Sequence, residues 1–403
     1  MIRHLFKLIW NRKQGNFLMI AEIFFSFLVL FGVSSLVIQF YQNYQKPIGF
    51  SYENVWMLTA TPQDTPNEER IQRLEQMLNE LKALPEVEHL ALSSANGPYT
   101  NNISTTTISR NEVETESNYI EVKTLDFDKV MDLQVEEGRW FNKQDMVSNR
   151  KPAVITKDLK QQLFGDEPAV NRTIALGKNE DGTADEQLII GVLEAYKPTG
   201  EFEDAAASFF TYTSYADTSV AHSRGRSQSY FYVKVKPGTA PVFEEQIIEK
   251  VSAIAPGWTF NIRPLEDMRT GYMKQSIIPF AALFIVCFFL ILNVALGLYG
   301  VLWQSINKRY AEIGLRRAIG ASSGSVYMQF LGEIIVLATF GLLLGCFFAV
   351  QFPLLGVFNL APEIYVTAIL VSVLTIYLLV IMCALYPSRQ AASIHPAMAL
   401  HEE

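Results

Sequence analysis

Four apolar stretches, each long enough to cross a bilayer, constrain this chain more than any other feature. One lies near the N-terminus, at Phe17–Tyr41, and three crowd the C-terminal third, at Ile277–Leu302, Val326–Gln351 and Ile364–Tyr386. About 20 apolar residues in a helix cover a hydrocarbon core about 30 Å thick. Between the first and second stretches lie residues 42–276, which are polar and mixed. The spacing predicts a 1+3 arrangement: transmembrane helix 1 at 17–41, a large water-facing domain at 42–276, then helices at 277–302, 326–351 and 364–386. The fold class expected is an α-helical membrane protein with an α+β extracytoplasmic domain.

Basic residues orient the spans. Residues 1–16 carry Arg3, Lys7, Arg12 and Lys13 without an acid, and 303–325 carry Lys308, Arg309, Arg316 and Arg317 against Glu312 alone. Short loops rich in Lys and Arg stay in the cytoplasm. Both termini, the tail 387–403 and the segment 303–325 are therefore expected inside, and 42–276 outside. That outer domain holds 24 Lys and Arg against 35 Asp and Glu, net −11, while the whole chain carries −8. The acidity belongs to the outer domain, and no nucleic-acid partner is expected. The first span is too long for a signal peptide and lacks a small-residue cleavage site after it, so it reads as an anchor. His4–Trp10 ahead of it is amphipathic and suits the inner lipid interface.

Cys287, Cys346 and Cys383 all fall in predicted spans, so no disulfide framework holds the outer domain together. The five histidines are scattered, and no cluster has metal-ligand spacing. The outer domain must fold on its own apolar core. Asn54–Thr61 reads as a strand, Asn67–Leu84 as a helix with Ile71, Leu74, Met77, Leu78, Leu81 and Leu84 on one face, and Val87–Ser93 as a second strand. Ser229–Lys236, Pro241–Ile254 and Trp258–Pro264 repeat strand, helix and strand. Together 42–110 and 228–276 read as a membrane-proximal β-α-β lobe. The intervening 111–227 reads as a mostly β insertion lobe with one short helix, Lys157–Leu163. Ala95–Asn111, rich in Asn, Ser and Thr, reads as a loop.

Within 303–325, helical spacing puts Arg309, Glu312 and Arg316 on one face and Ile306, Tyr310, Ile313 and Arg317 on another. A short amphipathic helix between two spans can fit a groove in a soluble partner, or rest as a basic loop on anionic lipid. Glu22 and Glu333 are acids inside spans, where charge is costly. Each suits either an acid that helps transmit movement or an interhelical hydrogen bond. Gly341 and Gly345 have the spacing of a close helix contact, within the chain or between two chains. No G-x-x-x-x-G-K-[ST] motif occurs, so ATP hydrolysis is expected from a separate subunit and no cofactor from this chain. No nucleophile–base set suggests an enzyme.

The segment 306–333, with Arg309, Glu312, Ile313, Gly314, Arg316, Ala318, Gly320, Ala321 and Ser322, resembles the hallmark of the MacB/FtsX-like permease family. The ending Pro387, Arg389, Ala391, Ala392, Pro396, Ala397 and Leu400 resembles that family's tail. Gly138-Arg139-Trp140-Phe141, Ala153–Thr156 and Leu163-Phe164-Gly165 look like its periplasmic core module, although Val170-Asn171-Arg172 departs from the usual Val-Gly-Lys. The resemblance covers nearly the whole chain. It implies the permease subunit of an ABC transporter in a bacterial inner membrane, exporting a compound or peptide. It implies 303–325 as the coupling helix, with Arg309, Glu312, Ile313, Arg316 and Arg317 facing an ATPase subunit that binds ATP and Mg. Two ATPase subunits and a second permease chain, the same or similar, are the implied partners, with membrane lipids around them. A periplasmic adaptor and an outer-membrane channel fit the export reading. Lipoprotein extraction, or an FtsX-like signalling role toward a cell-envelope partner, are the alternatives.

Overall fold

The computed structural model describes residues 13–392 except 64, 94–95, 101–103, 112, 148–149, 179–183, 217–227 and 358–359. The side chains at 13–16, 147, 178, 184, 301–302, 305, 311–312, 317, 388 and 390–392 are outside that description. The amphipathic reading of His4–Trp10 and the tail beyond Ala392 lie outside it too. Two compact units emerge: residues 43–276, and the apolar helices that flank them in sequence.

The chain begins with helix α1 (Lys13–Gln45). The following unit contains β1 (Val55–Thr61), α2 (Asn67–Lys82), β2 (Val87–Ser93), β3 (Thr105–Arg110), β4 (Val113–Val122), α3 (Phe127–Met131) and β5 (Val135–Gly138). It continues with β6 (Lys151–Thr156), α4 (Lys157–Phe164), β7 (Thr173–Lys178), β8 (Ala184–Leu193), β9 (Ser208–Tyr212), β10 (Ser229–Val235), α5 (Phe243–Ile254) and β11 (Thr259–Pro264). Then come α6 (Leu265–Lys308), α7 (Tyr310–Ala318), α8 (Ser323–Ala349), α9 (Gln351–Leu354) and α10 (Pro362–Ala392).

The first part of the sheet runs β11–β1–β10–β2, every neighbour antiparallel. The two β-α-β units therefore interlock: β10 inserts between β1 and β2, and β1 inserts between β10 and β11. This is the split β-α-β order of a ferredoxin-like sheet. Alternation along the strands decides its faces. Trp56, Leu58 and Ala60 of β1 and Phe231 and Val233 of β10 pack with Leu74, Met77 and Leu81 of α2 and Ile247 and Val251 of α5. Met57, Ala91 and Tyr232 face the other way, into a cluster with Phe127, Val130 and Tyr196.

The segment between β2 and β10 does more than add strands. The pairings β4–β3–β7–β8–β6–β9 return on themselves, because β9 also pairs with β4, in parallel. Six strands from Thr105 to Tyr212 thus form a closed ring, which leaves those strands without an open edge. Ile108, Ile155, Ile189 and Phe209 pack with Leu159, Leu163 and Phe164 of α4. The loop expected at Ala95–Asn111 is corrected here: Thr105–Arg110 is strand β3, in register with Val113–Asn118. Its run of Thr105, Thr106, Thr107 and Ile108 is β-branched, and stiff χ1 side chains favour a pleated strand over a coil.

The Gly138-Arg139-Trp140-Phe141 motif has a structural use. Gly138 has φ +74°, and a Cβ there would fall 2.2 Å from the Ile190 carbonyl oxygen, so only glycine fits. Arg139 makes a paired contact with Asp145 at 2.6 and 2.8 Å, and buried Trp140 donates its Nε1–H to the Leu125 carbonyl at 3.1 Å.

Among the described residues, four helices are long and apolar enough to cross a membrane: Phe17–Gln45, Leu265–Gly300, Ser323–Leu354 and Pro362–Pro387. At 1.5 Å per residue, the 33 residues of α1 extend about 50 Å and the 44 of α6 about 66 Å. Both exceed the ~30 Å hydrocarbon core. Helix α6 starts at Leu265, before its apolar stretch begins, with Glu266 and Asp267 in its first turn, where the helix dipole favours acids.

Candidate coupling site

The site grows from a break in a helix. Helix α6 runs on to Lys308 and stops, Arg309 occupies a one-residue turn, and α7 starts at Tyr310. Gly320, at φ +103°, turns the chain after α7. Ser322 then caps α8, its hydroxyl accepting from the Ser325 amide at 3.2 Å.

The break corrects the expected extent of the helix. Residues 303–325 are not one helix, although Arg309 and Arg316 both reach the same side of α8, at Glu333 and Gln329. Arg309 is only 8% exposed. Its Nη1 donates to both carboxylate oxygens of Glu333 on α8, at 3.0 and 2.8 Å. Gln329, one turn earlier on α8, donates to Glu333 Oε1 at 3.2 Å and accepts from Arg316 Nη1 at 2.9 Å. The guanidinium of Arg309 also lies 5.7 Å from the Phe330 ring centre. Beside this relay, Ile306, Ile313, Val326 and Phe330 pack in one apolar cluster, with Tyr310 against it.

The short helix is therefore fastened to α8 by one buried ion pair, one amide bridge and one apolar cluster. What it leaves outward is Leu315, 51% exposed, and Ile319, 78% exposed, four residues apart. Neither stood out in the sequence, because a lone Leu and Ile in a basic segment carry no pattern. Of the expected coupling residues, Ile313 is buried and Arg316 is at the surface; the side chains of Glu312 and Arg317 lie outside the described residues.

The helix contacts around this site are also specific. A Cβ at Gly341 would meet Ile23 Cγ2 at 2.9 Å, and one at Gly345 would meet Phe27 Cδ1 at 2.3 Å. The two glycines thus seat α8 against α1 of the same chain. Glu22 lies on that helix too, its Oε1 2.2 Å from where a Cβ at Gly297 of α6 would stand. The small residue makes room for the carboxylate. Glu333 is in an interhelical ion pair, whereas Glu22 is packed against backbone.

A second set of contacts falls within residues 43–276, around the loop 196–202. The fully buried Lys197 donates from Nζ to the Asn43 carbonyl oxygen at 2.7 Å, in the last turn of α1. A cation at a helix C-terminus opposes the negative end of the dipole and satisfies an orphan carbonyl. Asn43 Nδ2 donates to the Phe202 carbonyl at 3.1 Å, and the Tyr44 and Phe202 rings stack at 5.7 Å. The same loop reaches α6 through the ion pair of Glu201 with Arg269. One loop thus clasps the end of α1 and the start of α6. Burial, and then Lys46 nearby, push the Lys197 ammonium below its usual pKa. Sequence reasoning missed these residues, since Lys197 and Asn43 are 154 positions apart.

Residues 17–250 match the MacB-like periplasmic core domain, and residues 284–396 match the FtsX-like permease C-terminal domain. The chain belongs to the MacB/FtsX-like permease family. Among its curated relatives is the macrolide export ATP-binding/permease protein MacB of Campylobacter jejuni, 26% identical over 280 residues, which are 67% of this chain and 42% of that protein. The MacB of Pasteurella multocida is 28% identical over 283 residues, 66% of this chain and 40% of that protein. The permease chain thus spans about four-tenths of the length of these relatives. Among solved structures, the periplasmic region of MacB from Actinobacillus actinomycetemcomitans aligns at a TM-score of 0.38 and 16% identity, covering 57% of this chain and 94% of that one. The extracellular domain of the ABC-type transporter YknZ from Gram-positive bacteria aligns at 0.36 and 17%, covering 52% and 100%.

Proposed function

We propose that this permease-family chain couples an ABC ATPase subunit, docked at α7, to motion of the domain 43–276, and that the motion serves export across a bacterial inner membrane. The observation that carries this reading is the two-sidedness of α7. Its inner side is tied to α8 through Arg309, Ile313 and Glu333, while Leu315 and Ile319 stand out as apolar knobs beside Arg316. A docking element needs both properties: a partner-facing tip and a stiff connection that passes force onward. Exposed apolar tips of this size also favour a protein groove over a plain basic loop on lipid. The lengths of α1 and α6, and the loop that clasps both, support a mechanical path to the outer domain.

The macrolide-export role carried in the names of the MacB relatives supports export as the use. The family pairing supports two ATPase subunits, with ATP and Mg bound there, around two permease chains. The basic segment 303–325 supports placing α7 and both termini in the cytoplasm.

The test is an affinity-tagged full chain purified from its native membranes. Wild type should carry an ABC ATPase subunit identifiable by mass spectrometry. Leu315→Asp with Ile319→Asp should insert normally and lose it. Absence of any such subunit from the wild type, or full retention by the variant, would refute the docking role.

A further inference from the structure

The face of the ferredoxin-like sheet opposite α2 and α5 is not fully covered. It carries a cleft of about 780 Å³, within the size range of small-molecule sites. The floor comes from three strands in register: Met57 lies beside Arg263, Thr59 between Asn261 and Tyr230, and Thr61 beside Thr259. One wall is a single face of the first turns of α6, Met268, Gly271, Tyr272 and Gln275, at helical spacing. Every lining residue falls within 43–276.

The chemistry is graded. Met57, Tyr99 and Met268 are 5%, 2% and 4% exposed and form an apolar inner end. The Tyr99 and Tyr272 rings lie 5.8 Å apart there, and the Tyr99 hydroxyl lies beside the Arg269–Glu201 ion pair. Toward the rim the lining is hydroxyl and amide. Tyr230 donates to Gln228 Oε1 at 2.7 Å, and Gln228 Nε2 donates to Thr61 Oγ1 at 3.3 Å, so this rim is already oriented.

Charge decides the ligand class. No Asp or Glu lines the cleft, although the surrounding residues 42–276 are net −11. The one charged group is the exposed Arg263, which makes no ion pair or hydrogen bond with a described residue. Its backbone pairs with Met57, so the arginine leaves the sheet next to the apolar end. Methionine and tyrosine offer an adaptable, flat apolar surface, and an unpaired guanidinium takes a carboxylate with geometric preference. We propose that this cleft binds a drug-sized amphiphile with a flat apolar body and one anionic group, the anion on Arg263 and the body against Tyr99, Met57 and Met268. The proposal does not depend on ATPase docking or on what is exported, since it concerns a site in one unit alone.

Fluorescein and rhodamine 123 test it, because they share a xanthene–phenyl skeleton and differ in the sign of their charge. Binding is read by fluorescence anisotropy on the full chain in phosphatidylcholine nanodiscs, against empty discs and without any ATPase. Fluorescein should bind saturably at one site per chain, at least about tenfold more tightly than rhodamine 123. Arg263→Gln, at an exposed position, should weaken fluorescein by at least about tenfold, the loss of one charge-assisted hydrogen bond, and erase the preference. Gly271→Leu, where a Cβ meets nothing within 4 Å, should fill the wall and block both dyes without unfolding the chain. No saturable fluorescein binding, equal binding of the two dyes, or unchanged affinity in either folded variant would overturn the site.

Discussion

Breaking the Arg309–Glu333 pair should cost more than any surface ion pair in this protein. Arg309 and Glu333 are 8% and 13% exposed at their side chains, and the contact uses both carboxylate oxygens. Removing one partner leaves a charge without water or counter-ion. Such single deletions cost about 3–5 kcal/mol, whereas replacing both partners with apolar residues is near neutral. Arg309→Met alone, or Glu333→Leu alone, should therefore lower the stability of the α7–α8 junction by roughly 3 kcal/mol, about a hundredfold in its opening equilibrium. Arg309→Met with Glu333→Leu should recover most of that loss. The apolar cluster of Ile306, Ile313, Val326 and Phe330 remains to hold the helix. The assay is protease or thiol accessibility of α7 in nanodiscs, read as an opening equilibrium for the wild type and three variants, as a double-mutant cycle. Coupling predicts that the double variant is far more protected than either single one, yet transmits less ATP-linked motion, because Arg316–Gln329 loses its carboxylate anchor. Additive losses, or single variants within about 0.5 kcal/mol of wild type, would refute the claim that this pair fastens the short helix.

Three further outcomes are expected. Cysteines placed at Asn111 and Ser323 should react with an impermeant thiol reagent from opposite sides of the membrane, and labelling of both from outside intact cells would reverse the topology proposed here. Lys197 has a folded pKa below its unfolded value, so the unfolded chain binds the extra proton and stability rises with pH between the folded pKa and the unfolded value of about 10.4. Chemical unfolding should show that rise in the wild type, and Lys197→Met should lack it; the same slope in both would put the buried amine elsewhere. Gly345→Ala pushes a methyl into the Phe27 ring and should destabilise the helix unit by about 1–3 kcal/mol, with Phe27→Leu offering partial relief in the thermal melt, whereas an innocuous Gly345→Ala would mean that α8 does not pack on α1.

Much of the candidate site was legible in part only. The basic, Ile-containing segment around 309–317 pointed to a short helix, and the break after Lys308 is what bounds it. Sequence spacing put Arg309 and Arg316 on one face, but that this face meets Glu333 and Gln329 of α8 depends on how the two helices pack. Gly341 and Gly345 announced a close contact, but which helix fills the groove depends on the side chains of Ile23 and Phe27. The strand β3 was hidden because polar Thr and Ser read as loop, although their β-branched carbons fit a pleat once β4 is alongside.

The amino-acid sequence by itself determined the four apolar helices, the acidic domain between the first two, and the helices and strands at 54–93 and 229–264. These are local properties: hydrophobic length sets whether a helix can span, and period sets whether a segment is helix or strand. Tertiary structure alone decided that β10 lies between β1 and β2, that six strands close into a ring through β4 and β9, and that Arg309 meets Glu333 and Lys197 meets Asn43. Each of these joins residues far apart in the chain. Nothing local selects the partner; it is chosen by which buried charge, carbonyl or strand edge would otherwise be left unpaired.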